Sequence, residues 1–199
     1  MESNAYFVVS DKVCVIDSGV DSSRVLNRAS DYHIGIDVLI NTHCHFDHVG
    51  GNLGVLKSGT VRAFAHELDA PALEGGDGSF QLSGLFGYEP VKHPVDVKLR
   101  DKDVVDLGKI RLEVVHTPGH TRGSICLFEP ESKTLFSGDT VFANGIGRTD
   151  LKGGSLDDLE ESIRKLSKFV QDRGVEKIMP GHGPEGRREN VENALELYF

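Results

Sequence analysis

Residues 36–52 read IDVLINTHCHFDHVGGN, and both the fold and the chemistry turn on them. Residues 36–40 form a compact apolar run of strand length, which predicts a short strand buried on both faces. Directly after it, from His43 to His48, three imidazoles and one carboxylate fall within six residues. In an extended segment alternate side chains point to the same side, so His43 and His45 can converge on one point. Asp47 and His48 come a turn later, where a helix over residues 49–57 is expected to start, and can face a second point close by. Imidazole nitrogen and carboxylate oxygen are ligand types that Zn²⁺, Fe²⁺ and Mn²⁺ accept. A solvated polar turn does not need four such groups at this spacing.

Working outward, strand-like and helix-like runs alternate along the whole chain. Residues 5–10 and 12–16 predict a β-hairpin about Asp11. Residues 21–30 carry Val25, Leu26 and Ala29 at helical spacing, and residues 61–65 read as another strand. Residues 75–95, rich in Gly and Pro, are expected to form a long functional loop or lid. Strands follow over residues 104–107, 110–115, 124–128 and 134–136. Residues 155–171 make the clearest helix. Ser155 is a good N-cap, Asp157 and Asp158 lie in the first turn, and Leu159, Ile163, Leu166 and Val170 form an apolar stripe. A last strand over 175–179 and a last helix over 188–199 complete the pattern. The reading is one domain over residues 1–199, with sheets covered by helices.

Three turns after predicted strands repeat the theme of a metal-ligand side chain beside glycine. His120 lies in TPGHT (117–121), Asp139 in SGDT (137–140) and His182 in PGHGP (180–184). Singly, each reads as turn chemistry. Together with the first cluster they make seven candidate ligands, all at strand ends, and such ends converge on one edge of a sheet. His116 reads as a strand residue with a structural role or one supporting a ligand, because Pro118 and Gly119 exclude a helical pair with His120. His33, His66 and His93 lack ligand-like company. Asp17, ending the second strand, reads either as a turn former or as a support for a ligand histidine.

The chain of 199 residues has a net charge of −9, from 31 acidic and 22 basic residues. That balance argues against a nonspecific nucleic-acid or anionic-membrane binder, either of which needs a basic face. The longest apolar run, residues 5–9, is far too short to span a bilayer. No secretory signal is expected at the N-terminus. Three widely spaced cysteines, Cys14, Cys44 and Cys126, form neither a CxxC pair nor a disulfide framework, which suggests a reducing, cytoplasmic setting. There is no GxSxG elbow and no GxxxxGK[ST] loop. The glycines at 75–78 read as flexible loop, and Arg187 and Arg188 as a solvated helix start.

The THCHFDHVGGN run, with TPGHT, GDT and PGHG in order after it, resembles the pattern of the metallo-β-lactamase superfamily. Within it the chain is most similar to glyoxalase II-like single-domain hydrolases. The resemblance implies an αββα four-layer sandwich with a two-metal site at one edge of the facing sheets. It implies that His43, His45 and His120 hold one ion, that Asp47, His48 and His182 hold the other, and that Asp139 bridges them. Two divalent ions are expected per chain, Zn²⁺ first, with Fe or Mn as alternatives. Adjacent cations lower the pKa of a shared water towards neutrality, so hydroxide can attack a carbonyl carbon. Asp47 is the candidate catalytic residue that orients this hydroxide and later carries its proton.

Glyoxalase II enzymes carry a basic residue after the glycine matching Gly147, where it binds a carboxylate of the glutathione moiety. Arg148 holds that position and is the candidate substrate anchor. Asp150 replaces an aromatic of that family, Gly183-Pro184 replaces its Glu-Tyr, and a C-terminal helical domain that completes the glutathione site is not expected. The expected substrate is therefore a small anionic thioester, S-lactoylglutathione or a relative. The GRTD run (147–150) also resembles persulfide dioxygenases, which use a single iron; VGGN (49–52) is more similar to the hydrolases. A lactonase, an esterase or a nuclease of the same superfamily ranks lower.

Overall fold

In the computed structural model, which describes residues 3–199, the chain begins with the expected hairpin. β1 (Tyr6–Val9) and β2 (Val13–Ile16) pair antiparallel, with Val9 opposite Val13. α1 (Ser23–Asp31) buries Val25 and Ala29 and leads to β3 (Val38–Ile40), which is buried throughout. The helix expected over 49–57 starts earlier and is broken into α2 (Phe46–Val49) and α3 (Asn52–Lys57). Gly50 and Gly51 form the break because the chain between Ser18 and Ser22 packs against them. A Cβ there would meet the carbonyl oxygens of Val20 and Ser18 at 2.2 and 2.6 Å.

β4 (Arg62–His66) and β5 (Val97–Leu99) complete a first sheet of order β1-β2-β3-β4-β5, parallel from β2 onward. The connection between these two strands is not the open loop expected over residues 75–95. It folds as α4 (Ala70–Gly75), α5 (Gly78–Gln81) and a 3₁₀ turn over Ser83–Phe86. The buried Gln81 side chain pins it: Nε2 donates to the carbonyls of Ala72 and Val91, and Oε1 accepts from Val91 N, each at 2.8 Å.

The second sheet is built from β6 (Val104–Asp106), β7 (Arg111–His116), β8 (Ile125–Glu129) and β9 (Thr134–Gly138). After a small hairpin, β10 (Val141–Phe142) and β11 (Gly145–Ile146), come α6 (Leu156–Asp172), β12 (Lys177–Pro180), β13 (Gly186–Arg187) and α7 (Arg188–Tyr198). The sheet order is β13-β12-β9-β8-β7-β6. β12 runs parallel to β9, and every other pair in this sheet is antiparallel. Ser155 caps α6 as expected, its side chain accepting from Asp158 N.

Strand alternation sorts the core into layers. Cys14, Ile16, Val38 and Ile40 face Leu112, Val114, Ile125 and Leu127 between the sheets. Val15 and Leu39 turn outward under Val25 and Ala29 of α1 and Val55 of α3. Cys126 and Phe128 turn outward from the other sheet, beneath Leu159 and Ile163 of α6 and Val191 of α7. The order is helix, sheet, sheet, helix: an αββα sandwich. Each fully buried Leu, Ile or Phe contributes about 1.5–3 kcal/mol. Cys14, Cys44 and Cys126 are buried free thiols, and burial pushes Cys126 up to about 11. No helix among the described residues is long and apolar enough to cross a membrane.

Candidate metal centre

β7, β9 and β12 run in one direction, so their C-terminal ends open on the same edge of the second sheet. That edge is tied to the segment after β3 by Ile125 N, which donates to Thr42 O at 2.9 Å. His43 follows in this segment, His45 is the extended N-cap residue of α2, and Asp47 and His48 lie in its single turn. The turn after β7 delivers His120. It rests on the start of α6, where Ser155 N donates to Gly119 O at 2.8 Å and Ser162 Oγ donates to Pro118 O at 2.7 Å. Asp139 follows β9 directly. His182 follows β12 through Gly181, where a Cβ would lie 2.0 Å from Asp139 Oδ1.

All seven predicted ligand residues are brought together. Their ligand atoms form three overlapping groups, each within 4.8 Å: His43, His45 and His120; His43, His48 and Asp139; Asp47, His48 and His182. Asp139 stands between the outer two, with Oδ2 3.5 Å from His120 Nε2 and 3.4 Å from His182 Nε2. His45 Nδ1 and His120 Nε2 are 2.8 Å apart, and His182 Nε2 is 3.1 Å from Asp47 Oδ2. The Nε2 atoms of His43 and His45 are buried with no hydrogen-bond partner. Buried polar atoms are rarely left so, and a donor set of imidazoles and carboxylates such as this fits divalent transition-metal ions.

Burial and the facing carboxylates set the protonation of the cluster. Burial holds His43 well below its ordinary value and takes His45 down to about 3, so both are neutral. Burial also opposes charge on His48, but Asp139 and Asp17 outweigh it and push this group well up. Hydrogen bonds to Asp139 and Asp47 raise His182 to about 9. Burial likewise works against ionised Asp139 and Asp47, yet the facing histidines hold both below the usual carboxylate range.

Supporting groups set which nitrogen faces inward. Asp17 accepts from His48 Nδ1 at 2.8 Å and from the backbone and hydroxyl of Thr42 at 2.8 and 2.7 Å. Of the two readings of Asp17, the geometry matches the support of a ligand histidine. His120 Nδ1 donates to Arg148 O at 2.7 Å. Asp69, which sequence reasoning missed, accepts from Cys44 N, Thr121 Oγ1 and Gly123 N at 2.8–2.9 Å, joining the two histidine-bearing loops. His93, which lacks ligand-like company in the sequence, is a partner of Asn52. Asn52 Nδ2 donates to Asn41 Oδ1 at 2.8 Å and to His93 Nε2 at 2.9 Å beneath the cluster. His116 stacks on His66 with ring centres 4.0 Å apart and donates to Arg122 O, a structural placement.

A cavity of about 660 Å³ opens beside the cluster. Arg148 lines it, and the guanidinium is held bidentate by Asp150, with Nε to Oδ1 and Nη2 to Oδ2 both at 2.7 Å.

Known proteins of this kind share the architecture. The chain is 34% identical over 191 residues to the probable metallo-hydrolase MJ0888 of Methanocaldococcus jannaschii, covering 94% of this chain and 90% of that protein. It is 32% identical to the hydroxyacylglutathione hydrolase GloC of Haemophilus influenzae, covering 85% and 79%. Among solved structures, the BLEG-1 B3 metallo-beta-lactamase superposes with a TM-score of 0.85 at 27% identity, covering 96% and 91%. The di-iron-bound form of TTHA1623 superposes at 0.81 and 29% identity, covering 98% and 92%. Residues 1–182 match the sequence description of the same group, and the chain belongs to the metallo-beta-lactamase superfamily.

Proposed function

We propose that this protein is a dinuclear metal-dependent hydrolase that cleaves small acyl thioesters. The observation that carries the reading is the overlap of the three ligand groups, with Asp139 between the two outer ones. His43, His45 and His120 would hold one divalent ion and Asp47, His48 and His182 the other, both touching Asp139. His and Asp ligands suit zinc first and also iron or manganese; the di-iron form of TTHA1623 supports room for two. Such ions supply Lewis acidity and bring a water towards ionisation near neutral pH.

The chain's own groups do the rest. Asp17 and Arg148 O lock His48 and His120 with their Nε2 atoms inward. Asp47, which lines the cavity 3.1 Å from His182 Nε2, is our candidate to orient a nucleophilic water and to take its proton. A thiolate leaving group needs no strong general acid, and among the described residues none faces the cavity outside the cluster. The likeness to GloC supports a thioester, with S-lactoylglutathione as a reference substrate. Three buried free cysteines fit a reducing, cytoplasmic setting.

Elemental analysis is expected to find about two metal ions per chain, as the two ligand sets require. Thiol release from S-lactoylglutathione or simpler thioesters is expected without oxygen uptake. The GRTD run carries the first competing reading, ahead of a lactonase, esterase or nuclease. A single iron per chain with oxygen consumption on glutathione persulfide would replace the hydrolase by a persulfide dioxygenase.

A further inference from the structure

We propose, resting on the thioester-hydrolase reading, that the cavity beside the cluster selects thioesters with an extended apolar acyl group over those carrying a carboxylate. Leu85 and Asp150 set that preference. The cavity walls are apolar on both sides. Leu82, Leu85 and Phe86 form one, and Phe142, Ile146 and Leu151 form the other. Leu85 is 74% exposed at the cavity, and a large hydrophobic side chain left so open marks a contact surface when it lines a groove. Leu82 sits in the left-handed region, φ +59°, a conformation that a branched side chain disfavours.

The wall is nevertheless built in. Gln81 braces the connection that carries it through three hydrogen bonds to Ala72 and Val91. Phe86 and Tyr88 pack on Phe46, with ring centres 5.8 and 5.3 Å away. Lys152, beside the opposite wall, lies 4.3 Å over the Phe80 ring and also donates to Ser79. Lys152 thus brings the segment after β11 into contact with α5, next to the two walls.

Charge points the same way. Apart from the seven clustered residues, Arg148 is the one charged side chain lining the cavity among the described residues. Asp150 already occupies the Nε–Nη2 edge of its guanidinium and is itself taken down to about 2 by that pairing. The charge of Arg148 is therefore already offset, and a substrate carboxylate meeting its remaining, solvent-exposed Nη1 edge gains little. Each acyl methylene moved from water onto the walls improves binding roughly fourfold.

Four substrates test this with the metal-loaded protein, read as thiol release: acetyl-, hexanoyl- and succinyl-N-acetylcysteamine and S-lactoylglutathione. Hexanoyl is expected to exceed acetyl in kcat/KM by about tenfold or more, from the same per-methylene gain, and to exceed succinyl. Leu85→Asp should collapse the hexanoyl-to-acetyl ratio by about fivefold or more. Asp150→Ala should raise the succinyl-to-hexanoyl ratio by a similar factor, because it frees Arg148. A flat acyl profile, or a wild-type preference for succinyl or S-lactoylglutathione over hexanoyl, overturns the inference and leaves the hydrolase standing. Absence of thiol release from all four overturns the hydrolase reading and the inference with it.

Discussion

Asp17 occupies the left-handed region at φ 57° and commits both carboxylate oxygens to one neighbourhood, bonding Thr42 twice and His48 once. Asp17→Asn keeps the shape but gives His48 a poorer partner. It is expected to weaken metal binding about 10–100-fold, measured by competition with a chromophoric chelator. The protonation of His48 and His182 predicts a second result. Both must be neutral to ligate, so metal binding at pH 7 should release about two protons, visible as a buffer-dependent heat in titration calorimetry. His182 is raised to about 9, so protons compete below that value and metal affinity should climb with pH up to it. The sign reverses for the metal-free fold. The stability its protonated His182 contributes is full below about 6.5 and is lost as pH rises through about 9. Sequence logic reached His43 to His48 because ligand types cluster there without help from the rest of the chain. It could not reach Asp69. In HELDAPA that residue looks like a helix cap before Pro71, and it does precede α4, but it makes no cap bond. Its carboxylate goes instead to Cys44, Thr121 and Gly123, and no local pattern announces partners so far along the chain.

At the level of elements, α6 and the buried strand β3 were legible because period and length agree with burial. β5 was not. It has three residues, and its middle one, Lys98, is exposed, so alternation has too little length to show. The β10–β11 hairpin has two residues in each strand and is shorter still. The connection between β4 and β5 looked like a loop because Gly and Pro dominate it. Its order comes from one buried amide, which composition does not reveal. Gln81→Leu should therefore cost about 2–4 kcal/mol, since it strands the Val91 N–H and C=O away from water. The urea midpoint reports the loss, and a shift of about half a kcal/mol or less would show that the segment is not pinned by this residue.

For the whole molecule, the cluster joins two contiguous halves of the chain. His43, His45, Asp47 and His48 come from the half built on the first sheet; His120, Asp139 and His182 come from the half built on the second. Metal should thus act as a clamp across the sandwich. Free metal at 100 times its dissociation constant stabilises by about 2.7 kcal/mol per independent site. For a chain of this size that is roughly 5–10 °C of Tm per site. Scanning calorimetry with and without chelator measures it, and an unchanged Tm would mean that the ions do not span the two halves. The same division has a consequence in time. His182 is made 134 residues after His48, a delay on the order of ten seconds at about 5–20 residues per second. During that interval the nascent chain displays four ligands, then five after His120 and six after Asp139, and lacks the one that closes the centre. Any ion captured early sits in an unfinished cage that later translation must build around.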